Sequence, residues 1–233
     1  MATVRYLAMT ASEFAASKVL PSNIGWMACH FSPYEYGLTD LPHTLPPDSL
    51  LILNDRIPIR EHEPQKILRQ LQETAVRCGC RGVLLDFQKM RCSELKALAS
   101  YLVSALPCPV AVSENYACDL SCPVFLSPCP HHIPLKEHTK PWLGREIWLD
   151  LAADAEALLL TKEGMQVHPL PCQDLPSAAH WDQKLHCHYS IALTEKSARF
   201  TLWRTQADVD SLAEEAVRLG VTTFVGLYRE LGL

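Results

Sequence analysis

Short apolar runs without alternation, each ending in a polar residue and several preceded by an amphipathic helix, constrain this chain more than any other feature. The clearest is Gly82-Val83-Leu84-Leu85-Asp86-Phe87. A strand with one wet face alternates polar and apolar residues. A continuous run suits a strand covered on both faces, as in a parallel sheet. Ahead of it, Pro64 suits a first helical turn, where its missing N–H costs nothing. Ile67, Leu68, Leu71, Ala75 and Val76 then fall on one helical face, and Gly79 is a C-terminal stop. The unit repeats: Ser93 is placed to cap a helix with Leu95, Leu98, Ala99, Leu102 and Val103 inward, and Pro107 breaks it before the strand Pro109–Val112. Thr205–Gly220 reads as a third helix, with Val209, Leu212, Ala213, Ala216 and Val217 inward, feeding a last strand over Thr222–Tyr228.

Further strands are expected at Val4–Met9, Ile24–His30, Leu50–Leu53, Val124–Leu126, Glu146–Leu151 and Tyr189–Leu193. Ala157–Thr161 and Met165–His168 flank Glu163-Gly164, a hairpin turn, and Ala198–Arg204 pairs with the strand before it. Strand–helix alternation implies right-handed parallel units. About eight strands over 233 residues predict one α/β domain spanning residues 1–233, a short and irregular (β/α)8 TIM-type barrel with an inserted β-hairpin. The alternative is a doubly wound open sheet. There a Gly-rich phosphate turn would follow the early strand, and His30-Phe31-Ser32-Pro33 stands in its place. No cofactor is expected.

Composition excludes several partners. Hydrophobic residues make up 48% and charged residues 20%, enough for a sizeable core. With 21 basic against 26 acidic side chains there is no basic surplus for a nucleic acid. No apolar run reaches the roughly 18 residues that span a membrane. Ser12, Glu13 and Ser17 interrupt the first twenty residues, so no secretory leader is expected. The ten cysteines then read as reduced thiols of a cytoplasmic protein, mostly small buried hydrophobes.

In such a barrel, function sits at the carboxyl ends of the strands. Those ends supply His30, Asn54, Asp55, Asp86, Gln88, Glu114, Asn115, Asp150, Tyr228 and Glu230. Asp86 and Glu114 each follow directly on an apolar strand and are the candidate catalytic carboxylates. Gln88, Asn115, Asp150 and Tyr228, with Tyr34 and Tyr36 from the loop after Ile24–His30, join those two as candidate ligand-binding residues. Trp26 and Trp148 lie inside strands and read as core.

The segment Arg81-Gly82-Val83-Leu84-Leu85-Asp86-Phe87-Gln88, behind an amphipathic helix, resembles the fourth-strand signature D-G-x-D-x-D-x-E of the family 18 glycoside hydrolases, the chitinase-like TIM barrels. Gly82 and Asp86 match it. Arg81 and Leu84 replace two aspartates, and Gln88 replaces the glutamate. The order of elements agrees from Pro64 to Ala117. In that family the glutamate protonates the leaving group and an aspartate orients the substrate's acetamido group. A glutamine has no proton to give. The resemblance therefore implies a barrel that keeps a sugar-sized cleft and lacks the general acid, as in chitinase-like lectins. Tyr228 would stand for the family's floor tryptophan.

Metal and nucleophile motifs are weak. His186-Cys187-His188 precedes its strand's apolar run instead of following it, and Cys129-Pro130-His131-His132 reads as a loop; no metal site is expected. Cys29 and His30 are strand neighbours whose side chains diverge, and no G-x-S-x-G elbow occurs. The expected ligand is a small polar molecule, a carbohydrate first among them. The alternatives are an active glycosidase using Asp86 and Glu114, and a non-catalytic protein-interaction barrel.

Overall fold

The computed structural model describes residues 3–59, 61–89, 92–171, 175–176 and 179–232. In chain order the elements are β1 (Val4–Met9), α1 (Ala11–Ala16), β2 (Ile24–Phe31), β3 (Leu38–Thr39), β4 (Leu50–Asn54), α2 (Pro64–Cys78), β5 (Gly82–Asp86), α3 (Ser93–Ala105), β6 (Val110–Ser113), α4 (Glu114–Ala117), β7 (Val124–Leu126), α5 (Leu135–Thr139), β8 (Ile147–Leu151), β9 (Ala155–Thr161), β10 (Gly164–Leu170), β11 (His180–Asp182), β12 (Cys187–Leu193), β13 (Ser197–Trp203), α6 (Gln206–Arg218), β14 (Thr223–Leu227) and α7 (Tyr228–Leu231). They fall into two compact units: Met1–Ser127 with Gly144–Asp150 and Val221–Leu233, and Pro128–Leu143 with Leu151–Gly220.

The first unit is the barrel. Strands β1, β2, β4, β5, β6, β7, β8 and β14 are paired in that order, and the β1–β14 and β1–β2 pairings close a parallel ring. The short β3 lies outside it, antiparallel to β2. The interior is packed with side chains: Tyr6 and Ala8 from β1, Leu50 and Ile52 from β4, Leu84, Ala111, Phe125, Trp148 and Val225 form one buried cluster, with Met27 against it. Trp148 is thus core. Trp26 is buried on the other side of its strand, its ring edge-on to Phe14 at 5.5 Å.

Gly82 has a local reason. A Cβ there would lie 2.8 Å from the Pro109 carbonyl oxygen, which accepts the Val83 N–H at 2.9 Å to start the β5–β6 ladder. Any side chain would push that pairing apart.

The helices follow the expected bounds with local corrections. The inward stripe of α2 is Ile67, Leu71, Thr74, Ala75 and Cys78, the i, i+4, i+7, i+8, i+11 positions, and Val76 is 79% exposed. Ser93 is not a cap. The N-cap is Cys92, Ser93 is already helical, and its hydroxyl donates to Glu94 Oε2 at 3.0 Å. Val217 of α6 is exposed, whereas Val209, Leu212, Ala213 and Ala216 are buried and Thr205 caps with Asp208 in a reciprocal box.

The second unit holds more than a hairpin. β9 and β10 do turn at Lys162-Glu163, but β13 pairs with both β9 and β12, giving a five-stranded antiparallel sheet in the order β10-β9-β13-β12-β11. His132 Nδ1 lies 2.9 Å from Glu156 Oε1 on β9, and the buried His131 sits between Glu156 and Asp154. Burial alone would push the Glu156 carboxyl up, but the close imidazoles of His131 and His132, the latter hydrogen-bonded to it, outweigh burial and hold it at about 2. A depressed carboxyl stabilises the fold above its ordinary value of 4.5, and the contribution is lost as pH falls toward about 2. Glu156→Gln should therefore lower unfolding free energy at pH near 5 by an amount on the order of 1–2 kcal/mol, since water screens this half-buried site. In denaturant titrations the gap between parent and variant should close as pH falls from 4.5 to about 2. A gap independent of pH would show that the carboxylate's charge is irrelevant there.

Candidate functional site

The carboxyl ends of β2, β4 and β5 open on a cavity of about 670 Å³ within the barrel unit. Three of its residues share one register row: His30 on β2 is opposite Asn54 on β4, which is opposite Asp86 on β5. The row depends on an irregularity. Trp26 pairs with Leu51 and Cys29 with Leu53, so β2 carries one extra residue between them. Plain alternation from Met27 would send Cys29 inward; the extra residue sends His30 inward instead. Within it, the Met27 carbonyl accepts the Asn54 Nδ2–H at 2.9 Å. That bond and the Arg56 N–H, which donates to Oδ1 at 3.2 Å, fix the Asn54 amide, so Oδ1, 2.8 Å from His30 Nδ1, accepts a hydrogen bond from the ring's Nδ1–H. In the neutral imidazole the lone pair is then on Nε2.

Asp86 and Gln88 come from the segment that resembles the family 18 signature, and β5 is the fourth strand of the ring. Leu84, two residues before Asp86 and so on the same strand face, is buried in the barrel core. The Asp86 carboxylate therefore rests on an apolar layer. Burial pushes it up to about 6, the Gln88 hydrogen bond opposes the rise, and the negative charge of Asp55 adds to it. The Gln88 Nε2 amide donates to Asp86 Oδ1 at 2.7 Å. Asp55 is buried and structural: its two oxygens accept the backbone N–H groups of Gln88 and Lys89 at 3.1 and 2.9 Å.

The other predicted residues lie elsewhere. Glu114 Oε1 accepts the Ser127 hydroxyl at 2.5 Å and the Ser127 backbone N–H at 3.2 Å, and Glu114 is not among the residues lining the cavity. Asn115 borders a separate groove of about 180 Å³ beside Lys96 and Asp119. Tyr34, 96% exposed, and Tyr36 border a third hollow with Glu35 and Glu61. Asp150 stands half-buried on β8, and the Tyr228 phenol accepts a long 3.5 Å bond from Ser17. Arg56, Lys89 and Met27, which the sequence did not single out as ligand contacts, do line the cavity. Burial raises the Cys29 thiol to about 12, so the one cysteine beside His30 is inert core. Among the described residues no three His, Cys, Asp or Glu converge as metal ligands, and no helix is long and apolar enough to cross a membrane. His188 is instead held by Asp208 at 2.9 Å, and His131 by the Asp154 backbone.

No protein-family model matches the chain, and no curated protein matches it in sequence. Solved structures do. A family 18 N-acetylglucosaminidase from Paenibacillus barengoltzii superposes with a TM-score of 0.63 at 10% identity, over 96% of this chain and 94% of that one. A chitinase-like agglutinin from Robinia pseudoacacia gives 0.62 at 12%, over 95% and 93%. A family 18 chitinase from Cycas revoluta, solved in complex with (GlcNAc)3, gives 0.61 at 11%, over 96% and 94%. The fold is that of the family 18 glycoside hydrolases and chitinase-like barrels.

Proposed function

We propose that this chain is a chitinase-like barrel that binds a carbohydrate, or a ligand of similar polarity, in the β2–β5 cavity without the family's acid chemistry. The observation that carries the reading is Gln88. It occupies the position where the resemblance puts the protonating glutamate, borders the cavity, and spends its amide on Asp86. An amide cannot protonate a leaving group, and losing a general acid lowers a rate by at least ~10². What is kept suits a sugar. Met27, Ala28 and Ile52 offer an apolar floor, while His30, Asp86 and Gln88 offer polar groups for hydroxyls. The shared fold with the agglutinin and the (GlcNAc)3-bound chitinase supports the same reading.

Calorimetric titration with (GlcNAc)3, beside an aryl-glycoside panel, tests it. Saturable binding is expected, weakened about tenfold or more in Asp86→Ala, with no aryl release by the parent. Aryl release that disappears in Asp86→Asn would replace this reading with a glycosidase. Absence of any sugar binding, together with a stable protein complex, would replace it with a partner-binding barrel.

A further inference from the structure

The lip of the same cavity carries two cations. Arg56 follows β4 and Lys89 follows β5, and both line the cavity. The Lys89 ammonium donates to the Arg56 backbone carbonyl at 2.9 Å, which sets it beside the residue that carries the guanidinium. Neither cation has an ion-pair partner among the described residues. The two carboxylates that line the cavity make no ion pair with either cation. Asp55 points both oxygens at backbone N–H groups, and Asp86 Oδ1 accepts the Gln88 amide. Two adjacent cations at the mouth of an apolar-floored pocket form a receptor for an anion attached to a ring-sized body.

We propose that the ligand of this cavity is an acidic carbohydrate, whose ring lies over Met27 and Ile52 and whose carboxylate or phosphate is held by Arg56 and Lys89. This rests on the carbohydrate reading above and narrows it. A neutral sugar would leave both cations without a counter-charge among the described residues. An anionic one converts them into charge-assisted contacts and is drawn toward the mouth from a distance.

The test compares three probes by calorimetry at pH near 7.5 in about 20 mM and about 300 mM NaCl. They are neutral (GlcNAc)3, trigalacturonic acid and N-acetylglucosamine 6-phosphate. The expected result is that at least one anionic probe binds ~10-fold or more tighter than (GlcNAc)3 at low salt, and that the advantage shrinks at high salt. Tighter trigalacturonate assigns a carboxylate; a tighter phosphate ester assigns a phosphate. The double variant R56Q/K89Q, at two exposed positions, should bring the anionic probe down to the neutral one, whereas Lys162→Gln, in the β9–β10 turn, should not. Equal binding of neutral and anionic probes, or an advantage that survives R56Q/K89Q, overturns the narrowing and leaves the carbohydrate reading standing. If none of the probes binds, both fall.

Discussion

Asp86→Asn should make the protein more stable at pH 7.5, raising Tm by about 4–8 °C. The reason is the apolar layer under the carboxylate. Asp86 is raised from 3.8 to about 6, so its ionised form is less stable folded than unfolded. For an acid shifted upward the sign is the reverse of Glu156. The penalty is fully present above about 6, declines as pH falls, and is gone below 3.8. The shift corresponds to roughly 2–3 kcal/mol. Asparagine keeps the shape and can still accept the Gln88 amide, but it carries no charge. Thermal melts of parent and variant at pH 7.5 and at pH near 3.5 separate the causes: the gain should vanish at the lower pH. A variant less stable than the parent at neutral pH would mean that the carboxylate has an attractive partner. A stabilising substitution that also weakens sugar binding is the signature of a group kept for function at the expense of the fold.

Arg204→Met should have the opposite effect in the second unit, lowering stability by roughly 3–5 kcal/mol. Arg204 is 4% exposed, and its guanidinium donates to three backbone carbonyls, those of Cys129 at 2.5 Å, Leu185 at 3.0 Å and His186 at 3.1 Å. Methionine fills much of the space and leaves the buried Cys129 oxygen and the part-buried Leu185 and His186 oxygens without this donor. Arg204→Lys should recover little, because one ammonium cannot match a planar fork that spans carbonyls from two segments. Urea denaturation followed by tryptophan emission reads the loss, since Trp203 is the adjacent residue. A change below about 1 kcal/mol would show that water can replace the guanidinium.

The barrel was legible because its signal is redundant. Runs such as Leu50–Leu53, Gly82–Asp86 and Val124–Leu126 are buried on both faces, so each announces a strand without help from its neighbours. The second sheet was half legible. β10 is mostly exposed and β11 is only three residues long, so neither shows the continuous apolar run of a parallel strand. Of the rim, Asp86 and Gln88 were found because they follow an unmistakable strand and resemble a known signature. Arg56 and Lys89 were not, since a cation one or two residues past a strand end looks like any solvated loop residue. Glu114 shows the converse: an acid at a strand end was visible, but not that Ser127, thirteen residues on, would take its oxygen.

The out-of-step residue in β2 makes this mouth sensitive to chain length in a way that point substitution does not probe. Shortening the strand by Ala28 would make the ladder even and keep the imidazole facing Asn54. It would also remove the kink that offers a main-chain oxygen to the Asn54 amide. The Arg56 N–H, which donates to Asn54 Oδ1 at 3.2 Å, would then be the one remaining backbone bond that tells the amide's two ends apart. One surplus peptide group, whose own methyl side chain takes no part in the bond, thus supplies half of what sets which nitrogen of the ring is left bare.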